Sequence, residues 1–454
     1  MVVNSITMTE DTPLEDISIS TSFGNIELPT QDLYDFIKRC IKLNKRNTDL
    51  VYSQIEDFFG DDRYETEFHA LAPHEAGPYL KCFFDILERD YDITKTVDYH
   101  FKNQHEISPT YHEFDVGRIE KESLMVKGFI FAEDSLGSKC VFHLSPFSDE
   151  FNIELEVFYN PQNTNFKKIW ASVEEYFTTE GPMLGSKIDA KWKRIDFEER
   201  SWDSIVISDE SKKMINRHII NFIEHIDEYK DKRLPTSRGI LITGPPGTGK
   251  TLCCETIMNL VDCTAIYVTS DVIDNVGQIK EIYKLARKLA PTLIVIEDID
   301  TLGGLDRRDK GNHPLLGEFL NCLSGVGGND GVITIATTNY PENLDVALAD
   351  RPGRFDLRME FGYPNTEIRK HILEKYLDGV KGNKLKIDKI VKETENMSGA
   401  YLREIVMTAY MISLEERKEI NQKILDEALN SVKELKSKVA KSYGINKATG
   451  EFYS

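Results

Sequence analysis

A glycine-rich stretch ending in lysine and threonine carries the clearest chemistry in the sequence. Residues 239–251 read GILITGPPGTGKT, an apolar strand pattern followed by the Gly-x-x-x-x-Gly-Lys-Thr phosphate loop. Glycines let such a loop turn its backbone N–H groups towards an anion, and the next helix adds the positive end of its dipole. A chance match in a glycine-rich loop is the alternative, which the preceding strand and the following helical pattern TLCCETIMNL disfavour. The stretch predicts a site for a nucleoside triphosphate.

The expected cofactors at this loop are ATP and Mg²⁺. Lys250 is the cation that would reach the β- and γ-phosphates, and the Thr251 hydroxyl would bind the metal. The residues predicted to contact the nucleotide here are Gly244, Pro245, Pro246, Gly247, Thr248, Gly249, Lys250, Thr251 and Leu252.

Two acids end the buried, β-branched strand pattern TLIVIE at residues 292–297. We expect this strand to neighbour the phosphate-loop strand, so that Glu297 and Asp298 lie beside the nucleotide. With Thr251 they would form the Mg²⁺ site, and they would also polarise the attacking water. A solvated acidic turn is the alternative, and the apolar run before the acids makes it the weaker one.

Further candidates follow the strand pattern VITIATT at residues 332–338. Asn339 has an amide suited to orienting a water or a phosphate oxygen, and Arg351 and Arg354 follow in ALADRPGRFD. Guanidinium groups near a transferring phosphoryl group stabilise its charge. A surface ion-pair cluster would explain the arginines in isolation, but their position after Asn339 favours catalysis.

The composition of the chain limits which partners and which cellular locations are expected. The 454 residues carry a formal charge of −20, which argues against nucleic acid as a general partner. The seven cysteines lack metal-site spacing and predict reduced thiols. We also expect no membrane span and no signal peptide, because apolar runs are short and the acidic N-terminus lacks a basic start. The expected location is the cytoplasm, with the nucleus as the alternative in a eukaryotic source.

The order of strand and helix patterns predicts an α/β fold with several domains. Residues 1–28 are expected to be disordered, 29–195 to form an α+β domain that binds a substrate or partner, and 435–454 to be a tail. Five strand patterns at 239–243, 263–269, 292–297, 332–338 and 356–361 alternate with helices, so residues 196–362 should form a parallel sheet between helices. Residues 363–434 should form a small helical lid.

The α+β region has its own strand signals. Residues 124–132 and 139–144 flank the turn EDSLGS and predict a hairpin, whereas 151–159 alternates as a strand and 165–177 has helical spacing. His100, His105 and His112 lie at irregular spacings that do not indicate a metal site.

Together these motifs resemble the AAA family of ATPases over residues 199–434. Residues 337–356, TTNYPENLDVALADRPGRFD, resemble the family's second region of homology, and ENMSGAYLREIV (395–406) resembles its Ser-Gly-Ala helix. The resemblance implies a hexameric ring in which Arg351 and Arg354 act as fingers on a neighbour's ATP. It makes Asn339 the first sensor. It places Gly399, Ala400 and Tyr376, together with Ser204 and Val206 of WDSIV, on the adenine side.

Two features depart from the family pattern. The family's acidic pair is Asp then Glu, whereas this chain has Glu297 then Asp298, an order that also occurs in the mitochondrial AAA translocase of the folded Rieske protein. Threading members carry an aromatic-hydrophobic-Gly motif after the second strand. Here Asn275-Val276-Gly277 lacks the aromatic, which disfavours threading of unfolded polypeptide.

Three functions are consistent with these motifs. The leading hypothesis is a ring-forming ATPase that remodels or moves a protein partner. The alternative is a nucleotide-gated assembly scaffold with slow hydrolysis, favoured by the acid order and the missing aromatic. The third is docking to the proteasome core through the C-terminal Phe452-Tyr453-Ser454, which resembles the tail of proteasomal ATPases.

Overall fold

The computed structural model describes residues 17–21, 24–28, 51–100, 105–146, 152–269, 272–273, 275–301, 314–324, 328–341, 354–378 and 385–442. The chain divides into two compact units. The first comprises Met1–Glu113 and Ser123–Glu174, and the second comprises Phe114–Glu122 and Glu175–Ser454.

The strands, numbered along the chain, are β1 (Ile17–Thr21), β2 (Gly24–Leu28), β3 (Glu65–Leu71), β4 (Tyr91–Tyr99), β5 (Glu106–Ile107), β6 (Thr110–Val116), β7 (Ile119–Asp134), β8 (Lys139–Pro146), β9 (Ile153–Tyr159), β10 (Lys187–Asp189), β11 (Arg238–Thr243), β12 (Thr264–Thr269), β13 (Thr292–Glu297), β14 (Val332–Thr338) and β15 (Leu357–Glu360). The α-helices are α1 (51–59), α2 (Pro73–Asp90), α3 (Phe166–Thr179), α4 (Asp209–Ile215), α5 (Asn221–Glu224), α6 (Ile226–Asp231), α7 (Lys250–Leu260), α8 (Val276–Lys288), α9 (Pro314–Leu323), α10 (Thr366–Tyr376), α11 (Ile387–Glu393), α12 (Gly399–Glu416) and α13 (Gln422–Ser442).

A seven-stranded sheet forms the first unit, in the order β3-β9-β8-β7-β4-β5 with β6 paired to β7. Successive side chains of a strand point to opposite faces, so Val141 packs in the cluster with Ile55 of α1. The next residue, Phe142, meets Phe83 of α2 with ring centroids 5.2 Å apart. Helices therefore cover both faces of this sheet.

The predicted hairpin around EDSLGS is present as β7 and β8, which pair from Gly128↔Leu144 to Glu133↔Lys139. The N-terminal segment differs from the expected disorder over part of its length. β1 and β2 pair in register from Ile17↔Leu28 to Thr21↔Gly24, and the polar-apolar alternation of ISIST and GNIEL is typical of a strand.

A six-stranded parallel sheet forms the core of the second unit. Along β11, Ile240 and Ile242 belong to the cluster that also contains Cys253 and Ile257 of α7. On the opposite face the Tyr283 hydroxyl of α8 lies 3.1 Å from Thr334 Oγ1 of β14. The strands are therefore buried on both sides, as their continuous apolar runs predict.

The order of the strands corrects one expectation. The sheet runs β10-β12-β13-β14-β11-β15, so β14 lies between the phosphate-loop strand β11 and the acid-bearing strand β13. Short strand–helix–strand connections are compatible with either order, so their lengths did not distinguish the two arrangements. The consequence is that Asn339, at the end of β14, lies between Asp298 and the loop cation Lys250.

The division between the units also differs from the expected boundary at residue 195. β10 pairs in parallel with β12 from Lys187↔Ala265 to Asp189↔Tyr267, so it is an edge strand of the second sheet. A strand of three residues has too short a pattern to be predicted from the sequence.

The expected lid is a cluster of four helices, α10 to α13. Its core contains Leu373, Leu402, Ile405, Leu425 and Leu429, all buried. The helical pattern at 398–434 is two helices, because α12 ends where Arg417 takes a left-handed φ of 52°. The second helix continues to Ser442, eight positions beyond the expected end of the lid at 434. No helix of the described residues is long and apolar enough to cross a membrane.

Candidate functional site

The phosphate loop connects β11 to α7 with three glycines in conformations that other residues rarely adopt. Gly244, Gly247 and Gly249 have φ angles of 151°, 75° and 98°. A Cβ at Gly244 would lie 2.1 Å from the Phe361 carbonyl oxygen, and one at Gly247 would lie 2.8 Å from Ala400 Cβ. The loop therefore needs glycine for its backbone conformation and for its close neighbours.

Lys250 is the first residue of α7, and its ammonium group lies against the loop. Its Nζ donates to the carbonyl oxygens of Gly244 at 2.7 Å and Pro245 at 3.1 Å, and to Asn339 Oδ1 at 2.7 Å. Burial lowers its pKa, and the carboxylates of Asp298, Asp300 and Glu297 oppose that shift. The side chain is 6% exposed, so its charge acts in surroundings where electrostatic interactions are strong.

Glu297 ends β13 directly beside the start of α7. Thr251 Oγ1 donates to its Oε2 at 3.0 Å, whereas its Oε1 is buried without a hydrogen-bond partner in the described structure. Burial raises the pKa of this carboxyl, and the Thr251 and Tyr267 hydroxyls beside it act in the opposite direction. A threonine hydroxyl and a carboxylate oxygen without a partner are hard oxygen ligands of the kind that Mg²⁺ takes.

Asp298 is the next residue, and it faces Asn339. Its Oδ1 accepts a hydrogen bond from Asn339 Nδ2 at 2.8 Å, while Asn339 Oδ1 accepts from Lys250. Burial, followed by the neighbouring charge of Asp300, raises the pKa of the Asp298 carboxyl. The amide of Asn339 thus connects the acid to the loop cation and orients both.

The order of the two acids has a local backbone explanation. Asp298 has a φ of 50°, in the left-handed region, and its N–H donates to Thr337 Oγ1 at 3.0 Å. Aspartate and asparagine are enriched among non-glycine residues in this conformation, whereas longer side chains such as glutamate are not. The short acid at position 298 therefore suits the turn that follows β13.

A cavity of about 790 Å³ lies between the loop and the lid helices. The phosphate-loop residues Pro246 to Leu252 line one side, and Asp298 and Asn339 line the inner end. The predicted adenine-side residues also line the cavity: Ser204, Val206, Tyr376, Gly399 and Ala400. Ala400 N also donates to the Gly247 carbonyl oxygen at 3.1 Å, so the start of lid helix α12 contacts the loop directly.

These residues fit a nucleotide and a magnesium ion. The cavity volume falls within the range of roughly 300–1,000 Å³ that is common for ligand sites. The loop turns around glycines that leave no room for a Cβ, and Lys250 supplies a buried cation. The buried Oε1 of Glu297 and the Thr251 hydroxyl are oxygen atoms suited to a divalent ion.

The sequence agrees with this geometry. Residues 240–363 match the family described as ATPase family associated with various cellular activities (AAA). The chain contains an AAA ATPase domain. The prediction of an AAA domain, and with it the AAA fold class of these residues, is thereby confirmed.

The relatives are AAA proteins of several kinds. A 26S proteasome regulatory subunit homolog of Methanothermobacter thermautotrophicus is 37% identical over 213 residues, which are 44% of this chain and 55% of that protein. The 26S proteasome regulatory subunit 8 homolog B of Arabidopsis thaliana is 32% identical over 254 residues, covering 52% of this chain and 60% of that protein. The ATP-dependent zinc metalloprotease FtsH of Mycoplasmopsis pulmonis is 30% identical over 229 residues, covering 48% and 31%. The chain therefore matches each of these relatives over less than two thirds of their length.

Arg354 lies at the far end of the AAA domain's sheet from the phosphate loop. Its carbonyl oxygen would be 1.7 Å from a Cβ at Gly239, near the start of β11, whereas the loop begins at Gly244 after the strand ends. At about 3.3 Å per residue these two glycines are roughly 16 Å apart. Its Nε donates to Ser324 Oγ at 3.1 Å, and it does not line the cavity. The structure does not bring Arg354 to the site of its own chain, and Arg351 lies outside the described residues.

Asp300 and Lys375 are among the residues near the AAA site that sequence reasoning missed. Asp300 Oδ1 accepts from Thr338 Oγ1 at 2.7 Å and from Asn339 N at 3.4 Å, so it holds the end of β14. Lys375 lines the cavity from lid helix α10 and donates to two backbone carbonyls across it. Asp300 follows the predicted acids so closely that a role at the site could have been predicted. Lys375 depends on a long-range contact that leaves no signal in the sequence.

Asn275 has a local structural role in the AAA domain. Its side chain accepts from Gln278 N at 3.1 Å, and Gln278 Oε1 accepts from Asn275 N at 3.3 Å. This reciprocal pair is a capping box at the N-terminus of α8. Asn275-Val276-Gly277, where threading members carry the aromatic motif, therefore begins a helix.

Outside this site the structure offers no metal centre among its described residues. His100 and His105 stack with ring centroids 5.1 Å apart. The six described cysteines are free thiols, as predicted, and burial raises the pKa of Cys82 and Cys140 to about 12.

Proposed function

We propose that this protein hydrolyses ATP in a homo-oligomeric ring, expected to be a hexamer, and uses the energy to remodel or move a protein partner. The observation that supports this best is the continuous hydrogen-bonded arrangement from Lys250 through Asn339 to Asp298. The first unit is the proposed binding site for the protein partner. No role for nucleic acid is proposed, given the formal charge of −20.

In the proposed site each residue has a separate task. The loop amides and Lys250 hold the phosphates, while Thr251 and Glu297 would hold Mg²⁺, with Asp298 close by. When bound, the metal neutralises charge on the phosphate oxygens. Asp298 accepts the proton of the attacking water, and its raised pKa makes it a better proton acceptor than an exposed aspartate. Asn339 keeps that carboxylate and the Lys250 ammonium in fixed positions.

Nucleotide binding should depend on Lys250. Replacing Lys250 by alanine removes a buried cation whose charge-assisted hydrogen bonds are worth roughly 1.5–3 kcal/mol each. We expect the Kd for ATP, measured by titration calorimetry, to rise by at least about tenfold. Lys284→Ala is the matched control, because that lysine forms an exposed ion pair with Glu281 and should leave the Kd unchanged. Wild-type affinity in Lys250→Ala would contradict the assignment of the site.

The proposed action is on folded partners or assemblies. An aromatic side chain grips an extended polypeptide because it offers a large apolar area on few rotatable bonds. Asn275 offers little apolar area, and its amide is engaged in the cap of α8. ATP-driven changes would then pass to the partner without the threading of an unfolded chain.

A fluorescent protein with an unstructured tail, fused to a binding partner of the first unit, tests this view. We expect no ATP-dependent loss of its fluorescence. The same fusion without the partner is the control for recruitment. Robust unfolding that substitutions at residues 272–277 abolish would show that the protein threads polypeptide.

A nucleotide-gated scaffold is the second candidate function. It is favoured by the short acid at position 298, which leaves a longer distance to water than glutamate would, and by the capped Asn275. The two functions differ in whether a partner accelerates turnover. A partner captured with an ATP-trapped variant should raise the steady-state rate of a remodelling ATPase, whereas a scaffold needs no such stimulation.

Docking to a proteasome core is a third candidate. It is supported by the C-terminal Phe452-Tyr453-Ser454 and by relatives named as proteasome regulatory subunits. Those three residues lie outside the described structure. The missing aromatic at 275–277 argues against an unfoldase of that kind, so this candidate ranks below the other two. Co-sedimentation of wild type and a chain ending at Glu451 with proteasome core particles would test it.

A further inference from the structure

Lys375 connects the lid to a backbone segment that lines part of the cavity. It lies near the end of lid helix α10, and its Nζ donates to the carbonyl oxygens of Asp203 and Ser204, each at 2.6 Å. Both residues precede Ile205 and Val206, which line the cavity with Ser204. The ammonium thus holds the backbone on the side of the cavity where adenine is expected.

The same segment is attached to two separate cores. Ile205 is buried in the core under the parallel sheet, and a Cβ at Gly249 would lie 4.0 Å from its Cδ1. The next residue, Val206, packs against the core of the lid. A backbone that spans two cores through adjacent residues changes its orientation when the lid moves, unless another contact fixes it.

Lys375 supplies that contact for the carbonyl groups. The N–H groups of this turn are satisfied within it, because Ser204 N donates to the Ser201 carbonyl oxygen at 2.9 Å and Asp203 N donates to Ser201 Oγ at 3.2 Å. The carbonyls of Asp203 and Ser204 accept from Lys375 instead. Lys375 therefore determines how these peptide groups are turned relative to the cavity.

We propose that Lys375 is a positioning residue for the base, and that it makes the cavity select adenine over guanine. Adenine presents an amino donor beside a ring-nitrogen acceptor, and guanine presents a carbonyl acceptor beside a ring N–H donor. The Ser204 carbonyl and the Ile205 N–H belong to one planar peptide group, so a fixed carbonyl also fixes the direction of that N–H, which can pair with the ring-nitrogen acceptor of adenine and not with the ring N–H of guanine. Because the inference concerns the base end of the nucleotide site, it rests on the proposed ATPase function.

The test compares two nucleotides that differ only in the base with an inorganic polyphosphate that has no nucleoside. Titration calorimetry of the full chain with ADP, GDP and inorganic tripolyphosphate, each with Mg²⁺, is carried out on wild type and on Lys375→Met. Methionine retains an apolar stem and removes the donor. Lys375→Arg is the conservative variant, because arginine retains donors for both carbonyls. Lys370→Met is the matched control, because Lys370 lies in the same helix and forms an ion pair with Asp388 at 3.0 Å.

In Lys375→Met we expect the affinity for ADP to fall by about tenfold while the affinities for GDP and tripolyphosphate stay within about twofold of wild type. Lys375→Arg should restore most of the preference for ADP, and Lys370→Met should leave it unchanged. The ratio of the GDP and ADP dissociation constants is the quantity that reports positioning.

Two results would overturn the inference and leave the proposed ATPase function intact. An unchanged ratio in Lys375→Met would show that the lysine does not position the base. An equal fall for all three ligands would show that the lysine only holds the lid in place. A wild-type protein that binds neither ADP nor tripolyphosphate would instead overturn the proposed ATPase function, and this inference with it.

Discussion

Replacing Asp298 by asparagine should lower the turnover number for ATP by about 10²–10⁴-fold while ATP still binds. Asparagine has the size of aspartate and, like it, tolerates the left-handed backbone at this position, where φ is 50°. The substitution therefore removes the proton acceptor without straining the turn after β13. Steady-state phosphate release and titration calorimetry would measure the two parameters separately.

Glu297→Gln is the contrasting variant, because Glu297 contacts Thr251 and Asp298 contacts Asn339. The loss of an anionic oxygen at position 297 should raise the Mg²⁺ concentration needed for half-maximal turnover. A wild-type rate in Asp298→Asn, together with a large loss in Glu297→Gln, would show that the two acids have exchanged roles.

The local motifs were predictable because each is specified by a few consecutive residues. The phosphate loop needs glycine where φ is positive, and Gly244, Gly247 and Gly249 meet that need. The strands β13 and β14 begin and end as their apolar runs predict, because a strand buried on both faces leaves a continuous run in the sequence.

The arrangement between motifs was less predictable. The placement of β14 between β11 and β13 depends on which helices cover each face of the sheet, and no short segment encodes that choice. It explains why Asn339 contacts both Lys250 and Asp298. The same reasoning applies to Lys375, whose carbonyl partners lie about 170 positions earlier in the chain.

Asn275 shows where a family pattern and local chemistry give complementary information. The sequence shows that the aromatic residue is missing, but it does not show why an asparagine is present at this position. The capping box with Gln278 supplies a physical reason for the amide at this position. Asn275 thus has a role in the fold that the family pattern did not indicate.

Arg354 should act on the ATP of a neighbouring subunit. Its backbone lies against Gly239, at the opposite end of β11 from the phosphate loop, so it is too far from the site of its own chain. A guanidinium supplied by a neighbour stabilises transition-state charge, an effect worth about 10³–10⁵ in rate where it has been measured. We expect Arg354→Ala to bind ATP with wild-type affinity and to lose about 10³-fold in turnover.

Mixing two inactive variants would show whether the arginine acts between subunits. Asp298→Asn lacks the proton acceptor but retains the finger, whereas Arg354→Ala lacks the finger but retains the acceptor. If the finger acts in trans, co-assembled rings regain ATPase activity at each interface that joins an intact acceptor to an intact finger. If it acts within one chain, no mixture regains activity.

Arg358→Ala, at an exposed arginine of β15, is the matched control and should hydrolyse ATP at the wild-type rate. Recovery in the mixture, together with a wild-type activity that falls when the protein is diluted below the concentration at which rings form, would establish that hydrolysis belongs to the assembly. Without recovery, the fingers would have to be sought elsewhere in the chain.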